Sequence, residues 1–78
     1  MRLASFAVET PVGPARRVGV VDEGELLDVT AGYAYVLAMD GEAAPVDLAE
    51  TIAPTDMISF LRRGQRAFDA AEEVLEWV

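Results

Sequence analysis

The feature that most constrains the fold is a change in hydrophobic period near residue 30. Before it, apolar residues alternate with a period of two, so that Ala4, Phe6 and Val8 would share one face of a strand. After it, apolar residues recur every three or four positions, most clearly in residues 65–78. Because the strand-like part precedes the helix-like part instead of alternating with it, the sequence predicts an α+β fold.

The predicted strands are short and closely spaced. They cover residues 2–9, 16–21 and 26–29, and Val18 and Val20 share a face of the second strand. Residues 10–14 contain two prolines and a glycine, and residues 22–25 have the composition of a turn. Links this short cannot hold the crossover that parallel strands need, so we expect a small antiparallel three-stranded meander.

Three to four short helices should follow the meander. Helices are predicted at residues 31–39, 46–53, 56–63 and 65–78. Thr30 and Thr55 are the expected N-caps of the first and third, Pro45 suits the first position of the second, and Gly41 and Gly64 close two of them. We therefore expect one domain over residues 1–78, with the meander over 1–30 and the helical part over 31–78.

The composition excludes several kinds of chemistry. The chain has no cysteine and no histidine, and all six of its basic residues are arginines, so it also lacks lysine. A disulfide framework, a zinc finger, a thiol nucleophile, a Ser–His pair, a Walker lysine and a Schiff base are thereby excluded. The residues by themselves indicate a small acidic domain and no reaction.

The charge limits the partners. Fourteen acids against six arginines give a net charge of 6 − 14 = −8, which disfavours phosphate backbones and anionic membranes. No apolar stretch approaches the roughly 20 residues of a membrane span, and no apolar run follows Arg2 as in a signal peptide. We expect no nucleic acid partner, no membrane association and a cytoplasmic location.

The core should be thin. A chain of this length buries only about 60% of its unfolded surface, and 13 of its residues are alanines, which bury little area each. The sequence ends on Glu76, Trp77 and Val78 without a helix stop signal. Two interpretations are open: the helix continues or packs against a partner there, or it is a frayed surface end.

Acidic residues offer one candidate cation site. Asp22, Glu23, Glu25 and Asp28 lie within seven positions of one another, and hard cations take oxygen ligands. The same residues are ordinary turn chemistry, and the spacing of an EF-hand is absent. The turn is the favoured interpretation, and a small cation-binding protein is the weakest of three hypotheses for the function.

Three sequence blocks, taken in order, resemble the N-terminal region of bacterial and archaeal fumarylacetoacetate hydrolase family proteins. The first comprises MRLASF (residues 1–6), RVGVVD (17–22) and LLDVT (26–30), which stand where that family has a strand and a VGVVD-turn-VVDLT hairpin. The second is APTDM (53–57) followed by Phe60, Leu61 and Gly64, which is similar to the family's Pro-x-Asp-Met helix start. The third is the Ala- and Glu-rich stretch over residues 65–75.

The resemblance implies an accessory role. Members of that family are hydrolases, isomerases or decarboxylases acting on 2-oxo or β-diketo acids, with Mg²⁺ or a similar divalent ion polarising a substrate oxygen. Their metal ligands and catalytic histidine belong to a larger C-terminal domain. Glu23-Gly24-Glu25 spells Glu-x-Glu, but it falls in the hairpin turn, and the ligand role is not transferred to it. We therefore expect no catalytic, cofactor-binding or metal-binding residue in this chain, and no activity from it alone.

The expected partner is then the catalytic domain of the same protein, within a parent enzyme that is a homo-oligomer, such as a dimer. The alternative is a standalone protein–protein interaction module, which would use an apolar edge formed by Phe60, Leu61, Trp77 and Val78. The reading frame beyond Val78 separates the two.

Overall fold

Three strands and four helices follow one another in the computed structural model, which describes residues 2–77. The strands are β1 (Arg2–Thr10), β2 (Gly13–Asp22) and β3 (Glu25–Asp28). The helices are α1 (Val29–Met39), α2 (Pro45–Ile52), α3 (Met57–Arg62) and α4 (Gln65–Trp77). The strands form one antiparallel sheet in the order β1-β2-β3. The predicted α+β fold, a three-stranded meander followed by helices, is confirmed.

Two tight hairpins set the register of the sheet. Glu23 and Gly24 both have positive φ, at 49° and 82°, which is the conformation of a type I′ turn and matches the twist of the flanking strands. The sequence predicts that residues 10–14 interrupt the strand pattern. In the structure β2 already begins at Gly13 and includes Pro14, which faces Glu9 of β1.

Pro14 is tolerated there because of the direction of its backbone nitrogen. Asp22 and Glu25 flank the type I′ turn and form a hydrogen-bonded pair, so even-numbered residues of β2 direct their backbone groups toward β3. β3 reaches only as far as Gly19 along β2. The nitrogen of Pro14 therefore faces an open edge, where a missing donor breaks no ladder bond.

The core lies between one face of the sheet and the helices. Val18 and Val20, predicted to share a face, are both fully buried. The buried core cluster consists of Val18, Val20, Val29, Ile52, Ala53, Phe60, Ala67, Ala70 and Ala71. The ring of Phe60 meets that of Phe68 edge to face, with centroids 5.9 Å apart. Alanines supply nearly half of this cluster, which lets the helices approach closely.

The helix starts differ from the predicted caps. Asp28, not Thr30, caps α1: its Oδ1 accepts a hydrogen bond from the N–H of Ala31 at 3.1 Å. Asp56, not Thr55, caps α3 by accepting from the N–H of Ser59 at 3.0 Å. In each case an aspartate near the predicted threonine has the extended backbone that a cap requires.

Thr30 has another role. It is the second residue of α1 and is only 3% exposed. Its hydroxyl donates a hydrogen bond to the carbonyl oxygen of Ala53 at 2.6 Å. Ala53 is the C-cap residue of α2. The bond therefore joins the start of one helix to the end of another and satisfies a carbonyl that a helix end leaves without a partner.

The remaining predicted signals hold. Pro45 is the first residue of α2, and Gly41 and Gly64 follow α1 and α3 with φ of 86° and 66°. α1 and α4 are in close contact, since a Cβ added at Gly32 would lie 2.8 Å from Cγ1 of Val74. α1 and α3 make the main contacts with the sheet, and α2 and α4 pack mainly on α1.

Candidate docking surface

The sheet has two faces, and the core occupies only one. Leu3, Val20 and Leu27 lie directly opposite one another across the three strands, and all three belong to the core or pack against it. Because side chains alternate along a strand, the residues on either side of each of these three along its own strand point to the other face of the sheet. We call this the outer sheet face, and it consists of Arg2, Ala4, Phe6, Val8, Thr10, Gly13, Ala15, Arg17, Gly19, Val21, Leu26 and Asp28. None of these residues is in the core cluster of residues 2–77.

The outer sheet face is mainly apolar and open. Val8 and Leu26 are 41% and 45% exposed, and Phe6 is half-buried. Phe6 and Leu26 meet above Gly19: a Cβ added at Gly19 would lie 3.0 Å from Cε1 of Phe6 and 2.6 Å from Cδ1 of Leu26. A glycine at this position therefore lets two large side chains lie flat on the sheet, which gives a continuous apolar surface of three strands.

One ion pair borders that surface. The guanidinium of Arg17 donates to both carboxylate oxygens of Asp28, from Nε at 2.8 Å and from Nη2 at 3.1 Å. Both side chains are about three-quarters buried, with 24% and 28% exposure. Since Asp28 also caps α1, its carboxylate ties the outer sheet face to the first helix.

The apolar edge predicted from Phe60, Leu61, Trp77 and Val78 is not one surface. Phe60 is fully buried in the core. Leu61 precedes α4 and Trp77 ends it, so roughly 18 Å of helix separates them along its axis. Val78 lies outside the described residues. The prediction failed because an apolar stripe on a six-residue helix does not reveal which of its members faces the sheet.

Trp77 instead forms part of a second apolar patch. Its ring meets that of Tyr35 edge to face, with centroids 5.5 Å apart at 90°. Tyr35, Met39 and Trp77 are 57%, 58% and 49% exposed, and Tyr35 and Met39 lie one helical turn apart on α1.

Tyr33 packs against the core, and burial, with a smaller contribution from Glu73, raises the pKa of its phenol.

The acidic turn has no cation-binding geometry in the described part of the chain. Asp28 is engaged by Arg17 and by the N–H of Ala31, and Glu23 forms the type I′ turn. Over residues 2–77 no three acidic side chains come together in a way that would hold a metal ion. The turn interpretation of this segment agrees with the positive φ angles of Glu23 and Gly24.

A shallow depression lies between α2 and the start of α4. It is lined by Leu48, Thr51, Ile52, Arg63 and Arg66. Arg63 is the C-cap residue of α3, and Arg66 is in the first turn of α4. Neither arginine is in an ion pair with another of residues 2–77.

Sequence reasoning found the alternation of β1 but not the open face. The signal was available: Ala4, Phe6 and Val8 share one side of β1, while Leu3 on the other side joins the core.

A scan against protein-family models finds no matching family, and searches of curated proteins and of solved structures find no similar protein. No helix between residues 2 and 77 has the length and hydrophobicity to cross a bilayer.

Proposed function

We propose that this chain is a non-catalytic accessory domain that packs on the catalytic domain of a fumarylacetoacetate hydrolase family enzyme. The observation that carries the proposal is the outer sheet face, an apolar surface of three strands that the chain's own helices leave open. The order of the three sequence blocks in residues 1–30, 53–64 and 65–75 supports the choice of family.

The chemistry of the parent enzyme would come from outside this chain. Residues 2–77 offer no cluster of metal ligands, and the whole sequence has no histidine for proton transfer. The catalytic domain would hold Mg²⁺ or a similar ion and act on a 2-oxo or β-diketo acid. The role of this domain is then to support the parent's oligomeric architecture or to shape the entrance of its site, in the cytoplasm.

Two measurements test the proposal. The purified 78-residue chain should not turn over acylpyruvates in the presence of Mg²⁺, and measurable turnover would overturn the assignment. In the parent protein, Leu26→Lys places a charge on the outer sheet face and should lower the melting temperature and kcat/KM. Val46→Lys is the matched control, because Val46 is 57% exposed on α2, away from the sheet. Equal effects of the two substitutions would show that the outer sheet face is not the docking surface.

A standalone interaction module is the second candidate, and the patch of Tyr35, Met39 and Trp77 favours it. Three large apolar side chains, each about half exposed, are typical of the centre of a protein–protein interface. The reading frame beyond Val78 decides between the candidates. A frame that continues into a carboxylate-rich domain supports the accessory role, and an immediate stop codon supports the module.

A further inference from the structure

β1 leaves one edge of the sheet without a partner strand. Among residues 2–77 it pairs only with β2, over all nine of its residues. The even-numbered residues of β2 direct their backbone hydrogen-bonding groups toward β3, so its odd-numbered residues direct theirs toward β1. These odd-numbered residues face the even-numbered residues of β1, which therefore hydrogen-bond with β2. The odd-numbered residues of β1, from Leu3 to Glu9, therefore direct their backbone N–H and C=O groups away from the sheet. This edge is a template for another strand.

Natural edge strands usually carry protection, and β1 has little. Its register with β2 runs without a bulge from Arg2 to Thr10. It contains no proline and no lysine, and its only charged residues are Arg2 and Glu9. The main contacts of the helices with the sheet are those of α1 with β2 and β3 and of α3 with β2. In β1, Leu3 packs against the core cluster, whereas the exposed side chains of Ser5 and Ala7 show that the helices do not cover the rest of this strand.

We propose that β1 pairs antiparallel with β1 of a second copy of the chain, about a two-fold axis at Phe6. The two three-stranded sheets then join into one sheet of six strands. This inference does not depend on the proposed function, because it concerns the edge of the sheet and not its outer face. It does extend the outer sheet face into a continuous surface across both copies.

The register follows from the alternation of the strand. Opposite residues must point to the same side of the joined sheet, so their numbers must add to an even total. A total of 12 sets Arg2 against Thr10 and overlaps the whole strand, whereas totals of 10 or 14 overlap only residues 2–8 or 4–10. The odd-numbered residues 3, 5, 7 and 9 then form four pairs that each exchange two bonds, eight in all, against six in either shifted register.

The second copy is also the occupant that the side chains and charges fit. In this register Phe6 faces Phe6 of the other copy in a closely spaced pair, and Ala4 faces Val8, so the centre of the outer side of the junction is apolar, with Arg2 against Thr10 at each end. The strand is neutral, with one arginine and one glutamate, although the chain carries −8. Pairing through β1 therefore brings no net charge of the two strands together, and salt should strengthen the pairing by screening the repulsion between the acidic remainders of the two copies.

Cysteine cross-linking tests the register, and the absence of native cysteine makes it specific. Phe6→Cys should form an intermolecular disulfide under mild oxidation, because its partner Cα would lie about 4.5 Å away. Val8→Cys alone should not, because it faces Ala4 and its own copy lies about 13 Å along the strand. A mixture of Val8→Cys with Ala4→Cys should cross-link. Equal yields from Phe6→Cys and Val8→Cys alone would overturn the register.

Sedimentation equilibrium tests the pairing itself. The unmodified chain should shift from monomer to dimer with concentration, and more readily at higher salt. Ala7→Pro removes an edge-directed donor without touching the β1–β2 ladder, and it should raise the dimer Kd by about tenfold or more. Its circular dichroism should match that of the parent chain. A wild-type chain that stays monomeric up to about 1 mM would overturn the proposal, since such a Kd corresponds to almost no specific pairing.

Discussion

Replacing Asp28 separates two contacts that a single carboxylate makes. Its Oδ1 caps α1 through the N–H of Ala31, and both of its oxygens accept from Arg17. Removing a cap costs about 1 kcal/mol of unfolding free energy. A bidentate pair that is about three-quarters buried should contribute about 1 kcal/mol more, at the upper end of the range of exposed pairs. We therefore expect Asp28→Ala to cost about 2 kcal/mol.

Asn keeps a cap oxygen but loses the charge. Asp28→Asn should therefore cost about 1 kcal/mol, the share of the ion pair. Arg17→Met keeps most of the aliphatic stem and should cost about the same. Because both substitutions delete the same interaction, the double variant should also cost about 1 kcal/mol and not their sum. The cost of Arg17→Met should shrink in 1 M NaCl, where screening is strong.

Asp56 provides the matched control. It caps α3 by accepting from the N–H of Ser59 at 3.0 Å, and it is in no ion pair among residues 2–77. Asp56→Ala should lose about 1 kcal/mol and Asp56→Asn close to nothing. Subtracting the unfolding free-energy cost of Asp56→Asn from that of Asp28→Asn then gives the contribution of the ion pair, without the effect of replacing a capping aspartate by asparagine.

The assay is urea unfolding followed by circular dichroism and by the fluorescence of Trp77, with a check that the two probes coincide. A loss of 1 kcal/mol in a domain of this size corresponds to about 4–8 °C in the melting temperature. If the Arg17→Met and Asp28→Asn costs add fully in the double variant, the two side chains do not act through one contact, and the reasoning is refuted.

Three further predictions concern single residues. Thr30→Val should cost about 2 kcal/mol, because it leaves the buried carbonyl of Ala53 without its donor, whereas Thr51→Val, at an exposed hydroxyl, should change stability little in the same urea assay. Glu23→Asn should gain about 0.5–1 kcal/mol, since asparagine tolerates the positive φ of a type I′ turn; Glu23→Ala should show no gain, and a gain there would point to charge instead. The pKa of Tyr33 is raised by burial, so the folded state retains its proton longer and stability should fall as pH rises above about 10; thermal melts of Tyr33→Phe should lose less over that range, and parallel losses would contradict the assignment.

The periodicity predicted the elements well, and the reason is physical. A period of two reports which side chains of a strand share a face, as Val18 and Val20 do on the buried face of β2, and glycine positions such as Gly41 and Gly64 report the left-handed backbone after a helix. These signals depend on neighbours within one turn or one strand, so a single sequence contains them.

Apart from the one-residue error at the cap of α3, where Asp56 and not Thr55 is the N-cap, the failures involve contacts between distant parts of the chain. Thr30 satisfied every local requirement of a cap, but its hydroxyl is used by Ala53, 23 residues away. Phe60 belonged to an apolar stripe whose inward side depends on where the sheet lies. Pro14 argued against a strand, but the sheet happens to be open on the side that its nitrogen faces. No local rule distinguishes these cases.

The arrangement of layers explains why the domain leaves a surface to be covered. A sheet of three strands presents two faces, and the four helices, of 6 to 13 residues each, assemble on one of them through α1 and α3. These helices bury Val18 and Val20 but cannot also reach Phe6 and Leu26 on the other side. Stable domains bury each apolar sheet face against another layer. An antiparallel sheet can also leave one face in water, but Phe6, Val8 and Leu26 make this face apolar, and that is the basis of the proposal that a second layer from outside residues 2–77 covers it.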